Sequence, residues 1–107
     1  MAAINMNNKD FSQAMAEGKA ILVDFWAPWC SYCRRIGPAY EKIAEQFGDE
    51  LIIAKVNIDD EPLLANQEQI EVIPTLVLYH RGKAIDSIVA PESKAAIDAF
   101  IAKALEK

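Results

Sequence analysis

The two cysteines of the chain, Cys30 and Cys33, are separated by two residues. At positions i and i+3 of a helix their Cβ atoms would lie about 5–6 Å apart, close enough for a small adjustment to reach the roughly 3.5–4.5 Å of a disulfide. A helix N-terminus stabilises a thiolate, which is the nucleophilic form of cysteine. The spacing therefore favours thiol–disulfide exchange, with Cys30 as the attacking thiol and Cys33 as the thiol that resolves the mixed disulfide.

Half of a zinc site is the main alternative interpretation of this spacing. Zinc sites take four protein ligands, or three and a water molecule, whereas the chain offers two cysteines and one histidine, His80. We therefore favour the redox pair and expect no metal. His80 falls in a predicted turn and is assigned to the surface.

Composition and charge exclude several other function classes. A chain of 107 residues, 52% hydrophobic and 25% charged, is expected to form one compact domain over residues 1–107. The formal net charge of -5 disfavours nucleic acid and anionic membranes as partners. No apolar run approaches the roughly 20 residues of a membrane-spanning helix. With neither a leader pattern nor a cysteine-rich frame, the cytoplasm is the expected location, where disulfides are usually catalytic or redox-sensing.

Apolar periodicity predicts the elements that position the pair. In order, these are a helix capped by Asn7 or Asn8 and ending at Gly18, a strand at 21–26, a helix from Cys30 to Gly48, a strand at 51–58, a short helix opened by 59–62, a hairpin of strands 75–79 and 84–89 with its turn at 81–83, and a last helix capped by Ser93. Pro38 should kink the second helix. Alternating strands and helices that end in a hairpin predict an α/β fold with a mixed sheet covered on both faces.

The residues around the cysteines resemble the thioredoxin family. The run 23–30, Val-Asp-Phe-Trp-Ala-Pro-Trp-Cys, followed by Cys33 is similar to the active-site signature of that family. Further matches over nearly the whole chain lie at 37–38, 55–59, 73–75 and Gly82. The resemblance implies the thioredoxin fold, with a central mixed sheet of four to five strands flanked by about four helices.

The same resemblance implies a function and partners. The chain would be a general protein-disulfide reductase that acts on disulfide-containing proteins. It would be a monomer without a cofactor of its own, recharged by an NADPH-dependent thioredoxin reductase.

Asp24 is the one charge in an apolar strand. An isolated carboxylate there either reaches solvent or stays protonated near neutrality, and the residues alone leave both alternatives open. By resemblance, Asp24 matches a buried carboxylate near the resolving thiol and would accept the proton of Cys33. Lys55 also has apolar neighbours, and its stem could extend to water. The resemblance instead implies an interaction between Lys55 and Asp24.

The peptide bond before Pro74 would be trans by default, because only about 5–6% of X–Pro bonds in folded proteins are cis. The resemblance implies the opposite, a cis Pro74 beside the cysteines that leaves the Ile73 backbone free to bind an extended substrate segment. It also places Trp29 on an exposed substrate-docking surface, with Gly82 and Ala90 as neighbours of low relief.

The sequence departs from the family pattern between the cysteines. A typical thioredoxin carries Gly-Pro there, whereas this chain carries Ser31-Tyr32. A residue other than proline restores an N–H at position 32 that can donate toward the Cys30 thiolate, so the couple is expected to be less reducing than that of a typical thioredoxin. Ser31 and Tyr32 are also assigned to the substrate-binding surface. At 90–91, Ala-Pro replaces the more usual Gly-Ala, which predicts a stiffer contact loop.

Two other functions are compatible with these residues. The Ser-Tyr dipeptide permits a thiol oxidase or isomerase of the same fold. A redox-inert module could instead bind a partner through the surface near Trp29, Ile73 and Pro74, although the intact cysteine pair argues against it.

Overall fold

A five-stranded mixed sheet with four helices is seen in the computed structural model, which describes residues 2–48 and 50–107. The elements are β1 (Ile4–Asn5), α1 (Asn8–Glu17), β2 (Ile21–Trp26), α2 (Ser31–Phe47), β3 (Ile52–Asn57), α3 (Pro62–Gln67), β4 (Thr75–His80), β5 (Lys83–Val89) and α4 (Lys94–Ala104). The strand order is β1-β3-β2-β4-β5. The first three strands are parallel, and β4 and β5 are antiparallel to their neighbours. The α/β fold class is confirmed.

Local sequence signals account for the helix ends. The Asn7 side chain accepts a hydrogen bond from the Asp10 N–H at 2.8 Å, and the Asp10 carboxylate accepts one from the Asn7 N–H at 3.3 Å. This reciprocal pair satisfies two N–H groups that the first turn of α1 leaves without helical partners. Gly18 ends α1 at φ 70°, a left-handed conformation that glycine adopts without a steric penalty. Ser93 caps α4 as predicted.

The sheet is covered on both faces, which explains why β2 is apolar almost throughout. Alternate side chains of the central strands pack against α2 and α4 on one face and against α1 and α3 on the other. Leu22 belongs to the first cluster, whereas Val23 belongs to the second. Both faces of β2 are therefore packed, and the segment that carries Cys30 leaves the carboxyl end of this buried strand.

The predicted elements are confirmed, with differences at their ends. Lys83 belongs to β5 instead of to the turn. Pro38 lies inside α2, which continues to Phe47, and the kink expected there stays a prediction. The strand β1 was missed, because two residues are too few to show a period of two. No helix in the part of the chain that the structure describes is long and apolar enough to cross a membrane.

Candidate active site

The cysteine pair lies where β2 leads into α2. Cys30 is the N-cap residue of α2, and its Sγ accepts a hydrogen bond from the Cys33 N–H at 3.2 Å. The two residues form a disulfide with their Cα atoms 5.2 Å apart. Cys33 is only 3% exposed, whereas Cys30 is partly exposed. An incoming sulfur can therefore approach Cys30 more readily than Cys33.

The N–H group that supports the Cys30 sulfur differs from the one expected. In this disulfide state the donor is the Cys33 N–H, and no hydrogen bond from the Tyr32 N–H to Sγ is found among the described residues. The Cys33 N–H would be present whether or not position 32 were proline. Cys30 also has a second polar neighbour, the Ile73 carbonyl oxygen, 4.0 Å from its Sγ.

Asp24 lies in the middle of β2 and is 1% exposed. Burial raises the pKa of its carboxyl from 3.8 to about 7, and the positive charge of Lys55 opposes that rise. The Oδ1 atom is buried and has no hydrogen-bond partner among the residues that the structure describes. Of the two alternatives left open by the sequence, the structure places the carboxyl away from solvent, where it exchanges a proton close to neutral pH.

Lys55 pairs with Asp24 in the register of β2 and β3 but makes no ion pair with it within 4 Å, among the residues that the structure describes. Its Nζ lies 4.3 Å from the centroid of the Trp26 ring, a favourable distance for a cation against an aromatic face. Lys55 and Trp26 both line a surface pocket of about 400 Å³. The lysine therefore acts on Asp24 through its electric field and not through a direct contact.

Pro74 is buried and directly precedes β4, and its peptide bond with Ile73 is cis, as expected. Because β4 runs antiparallel to β2, with Thr75 paired to Phe25, the beginning of β4 lies at the end of the sheet from which Cys30 emerges. The carbonyl of Pro74 accepts a hydrogen bond from the Ala90 N–H at 2.9 Å. The cis proline thus connects the cysteine pair to the segment that follows β5.

Trp29 is 65% exposed, and its Nε1 donates to Asp59 Oδ1 at 3.1 Å. Sequence reasoning did not identify Asp59, which anchors one edge of the indole and leaves the rest of the ring open. Because Trp29 directly precedes Cys30, this exposed aromatic surface lies beside the reactive pair. A large exposed apolar ring next to a reactive group is typical of a contact surface.

Ser31 and Tyr32 lie between the two cysteines in the first turn of α2, and Tyr32 contacts Ala90. Ser31 is exposed at the first position of α2, and the Tyr32 hydroxyl donates to the carbonyl oxygens of Ala90 at 3.3 Å and Pro91 at 3.0 Å. Ala90 has φ 45°, in the left-handed region that favours glycine. The Tyr32 side chain therefore joins α2 to the segment between β5 and α4.

Comparison with known proteins decides the family. The thioredoxin family model matches residues 2–103. Thioredoxin of Alicyclobacillus acidocaldarius is 35% identical over 105 residues, which are 98% of this chain and 100% of that protein. Thioredoxin of Acidithiobacillus ferridurans is 42% identical over 90 residues, 84% of this chain and 83% of that one. A bifunctional thioredoxin reductase/thioredoxin of Mycobacterium leprae is 37% identical over 87 residues, 81% of this chain and 19% of that protein.

This chain belongs to the thioredoxin family. With Cys30 and Cys33 bonded at the start of α2, it is a thiol–disulfide oxidoreductase that reduces protein disulfides.

One expectation drawn from the resemblance to thioredoxin is wrong. The resemblance implies that Gly82 lies beside Trp29, but it lies in the β4–β5 turn, where a Cβ would come within 3.3 Å of the Met15 carbonyl oxygen at the end of α1. The neighbouring His80 and Arg81 follow the part of β4 that pairs with the beginning of β2. This turn is therefore at the opposite end of the sheet from the cysteines, and Gly82 permits close packing against α1.

Two further apolar residues at the active end of this thioredoxin-family fold were not identified from the sequence. Val72 is 54% exposed and directly precedes Ile73, and Val89 is 52% exposed and pairs with Thr75. We call Trp29, Val72 and Val89 the apolar rim. Their signal in the sequence is weak, because single exposed apolar residues are common on protein surfaces.

Proposed function

We propose that this thioredoxin-family protein is a general reductant of disulfides in other proteins and is itself reduced by an NADPH-dependent thioredoxin reductase. The observation that carries the proposal is the unequal exposure of the pair, with Cys30 accessible at the start of α2 and Cys33 buried one turn further on. The accessible thiol can react with a partner, while the shielded thiol reacts only within the chain.

The proposed reaction has two exchange steps. The Cys30 thiolate attacks one sulfur of the substrate disulfide, forms a mixed disulfide and releases the other substrate sulfur as a thiolate. The Cys33 thiol gives its proton to the Asp24 carboxylate, and the resulting thiolate attacks the Cys30 sulfur and releases the second substrate thiolate. Two electrons pass from the dithiol to the substrate, and the chain is left with the Cys30–Cys33 disulfide. The reductase then returns two electrons to the pair.

Asp24 is proposed as the proton acceptor because its pKa of about 7 lets it hold or release a proton at neutral pH. A general base works best when its pKa lies near the operating pH. Lys55 supports this role by favouring the ionised carboxylate, since its charge opposes the effect of burial. We therefore assign Lys55 as a supporting residue.

The proposed docking surface consists of Trp29, Ser31, Tyr32, Ile73 and Ala90, with Pro74 as the buried support beneath it. An extended substrate segment would pair with the Ile73 backbone as an added strand, and the apolar rim would cover the residues that flank the substrate disulfide. Main-chain pairing of this kind does not depend on substrate sequence, which suits a reductant of many proteins.

The Ser31-Tyr32 dipeptide affects the reduction potential of the Cys30–Cys33 couple. We propose a couple somewhat less reducing than that of thioredoxins with Gly-Pro between the cysteines. An N–H at position 32 adds a donor in the first turn of α2, although the hydrogen bond to Sγ in the disulfide state comes from Cys33. Its contribution would arise in the reduced state, where the Cys30 sulfur is charged.

A reductase as the electron donor is supported by the relative from Mycobacterium leprae, which is named as a thioredoxin reductase and a thioredoxin in one protein. We further propose that residues 1–107 act as one domain and as a monomer. The proposed location is the cytoplasm, where a disulfide in a two-cysteine chain is usually catalytic. The net charge of -5 supports proteins over nucleic acid as partners.

Insulin reduction, followed by turbidity, tests the proposal in two arms. One arm supplies dithiothreitol and the other supplies NADPH with a thioredoxin reductase, and activity is expected in both. Inactivity in both arms would refute the function, whereas activity with dithiothreitol alone would refute only the reductase partner. A Cys30→Ser/Cys33→Ser variant should lose all turnover; if it bound partner proteins as well as the wild type while the wild type showed no turnover, the redox-inert module would be correct.

A further inference from the structure

The hydroxyl of Tyr32 connects the first turn of α2 to the segment between β5 and α4. It lies 3.3 Å from the carbonyl oxygen of Ala90 and 3.0 Å from that of Pro91. The Tyr32 ring is half-buried against the core beneath α2 and α4, and the guanidinium carbon of Arg35 lies 5.8 Å from its centroid. The ring is thus fixed in place. We call the two hydroxyl contacts the Tyr32 clasp.

Ala90 needs such support because its backbone conformation is unfavourable for alanine. At φ 45° the Cβ of an L-residue crowds the following carbonyl oxygen. Ala90 also precedes Pro91, and a residue before proline prefers an extended conformation. The Ala90 N–H donates to the Pro74 carbonyl at 2.9 Å, and its own carbonyl accepts from Tyr32. Ala90 is therefore held from both sides in a conformation that its sequence does not favour.

Few contacts separate the Tyr32 clasp from the Cys30 sulfur. The Ala90 N–H donates a hydrogen bond to the carbonyl of Pro74, and the carbonyl oxygen of the preceding Ile73 lies 4.0 Å from Cys30 Sγ. Segment 90–91 therefore forms one wall of the proposed docking surface, and the Tyr32 hydroxyl holds that wall at the carbonyl oxygens of Ala90 and Pro91. Proline at position 32, which thioredoxins with Gly-Pro carry, has no hydroxyl to make this contact.

We propose that Tyr32 is a positioning residue that holds segment 90–91 ready for extended polypeptide substrates and thereby favours protein disulfides over small disulfides. The inference rests on the proposed function, in which Ile73 and Ala90 border the substrate. A wall that is already ordered loses less conformational entropy when a polypeptide binds along it. A small disulfide reaches Cys30 without lying along segment 90–91, so it gains nothing from the clasp.

Tyr32→Phe removes the hydroxyl and keeps the ring that packs on the core. Single-turnover oxidation of the reduced protein gives the insulin concentration for half-maximal rate and the limiting rate. In Tyr32→Phe the insulin concentration for half-maximal rate should rise about 2- to 10-fold, the effect of losing one hydrogen bond. The limiting rate with insulin and the rate with dithiobis(nitrobenzoate) should stay unchanged. Tyr79→Phe is the matched control, because it removes a hydroxyl that donates to Glu68 at 2.7 Å, near the other end of β4. It should leave all three values unchanged.

The substitution Ala90→Gly tests whether the Tyr32 hydroxyl acts by holding the backbone of segment 90–91 and not in another way. Glycine adopts the left-handed conformation unaided, so Tyr32→Phe/Ala90→Gly should regain most of the wild-type affinity for insulin. Amide exchange at Ala90 should be faster in Tyr32→Phe than in the wild type. Unchanged affinity and exchange in Tyr32→Phe, or equal slowing with insulin and the small disulfide, would overturn the proposal. A wild type inactive toward insulin would refute the proposed function, while amide exchange would still decide on the clasp.

Discussion

Asp24 and Lys55 occupy paired positions on neighbouring parallel strands, yet the lysine ammonium lies over the Trp26 ring instead of against the carboxylate. The two charges therefore interact at a distance. A tight ion pair would lower the pKa of Asp24 more strongly than this distant charge does. The separation instead leaves burial as the larger effect, and the carboxyl remains near its midpoint at neutral pH.

Asp24→Asn should slow disulfide reduction and remove its dependence on pH around neutrality. The carboxylate accepts a proton only when it is ionised, so the wild-type rate should fall as the pH drops below about 7. Asparagine cannot accept the proton, and the rate of the variant should be low and flat in this range. Stopped-flow measurement of resolution at several pH values checks this, and a variant that keeps the wild-type profile would contradict the assignment.

The same substitution should stabilise the oxidised protein at alkaline pH. Because the pKa of Asp24 is raised on folding, the native state binds the proton more tightly than the unfolded state, and stability falls as the pH rises from about 4 to above 7. Asp24→Asn removes this loss, so its advantage should reach about 2–4 kcal/mol near pH 9 and shrink toward pH 4. Urea unfolding at both pH values measures the difference; an advantage independent of pH would argue against a raised pKa.

Lys55→Met should raise the pKa of Asp24 further, because it removes a positive charge that favours the carboxylate. The pH at which the reduction rate rises should therefore move upward, while the rate well above that pH stays the same. Titration of Asp24 by NMR and the pH profile should agree on the direction. Lys42→Met, at an exposed position on α2, is the control and should leave the profile in place.

Ser31→Gly/Tyr32→Pro should make the couple more reducing. The double substitution removes the N–H at position 32, which is expected to stabilise the reduced form. Equilibration with glutathione should shift by about tenfold, which corresponds to about 30 mV for a two-electron couple. An unchanged equilibrium would mean that the dipeptide does not set the poise. Tyr32→Phe keeps the N–H and loses only the hydroxyl, so it should keep the wild-type equilibrium.

Trp29→Ala should lower the catalytic efficiency toward protein substrates without unfolding the chain. The ring is 65% exposed, so stability depends little on it, whereas exposed tryptophans at contact surfaces often contribute strongly to binding. We expect kcat/KM for insulin to fall about 5- to 30-fold, equivalent to one or two kcal/mol. Leu105→Ala is the matched control, since Leu105 is 48% exposed at the far end of α4 from segment 90–91. Equal losses in both variants would show that the docking surface has been misplaced.

Most of the secondary structure could be predicted because it is encoded locally. The apolar run at 21–26 and the caps at Asn7, Gly18 and Ser93 each depend on residues within a few positions of one another. The strand β1 could not be predicted, because its two exposed residues become a strand only by pairing with Ala54 and Lys55.

Parts of the site depend on contacts between distant residues, and these could not be derived from spacing. The Tyr32–Ala90 hydrogen bond joins residues 58 positions apart, and the Trp29–Asp59 bond joins residues 30 positions apart. Gly82 was misplaced because the order of residues does not reveal which end of the sheet a turn occupies. The antiparallel register of β4 against β2 decides that point and places Gly82 far from Cys30.

The N–H that supports the Cys30 sulfur belongs to the backbone of Cys33 and not to its side chain. Exchanging the Cys33 thiol for a hydroxyl therefore leaves the support of the nucleophile in place while it removes the only thiol able to displace a bound partner. Cys33→Ser should consequently accumulate covalent adducts with the proteins that it meets. The Cys33→Ser variant can therefore capture the physiological targets of the chain. These targets are identified after a reductant releases them from the adduct.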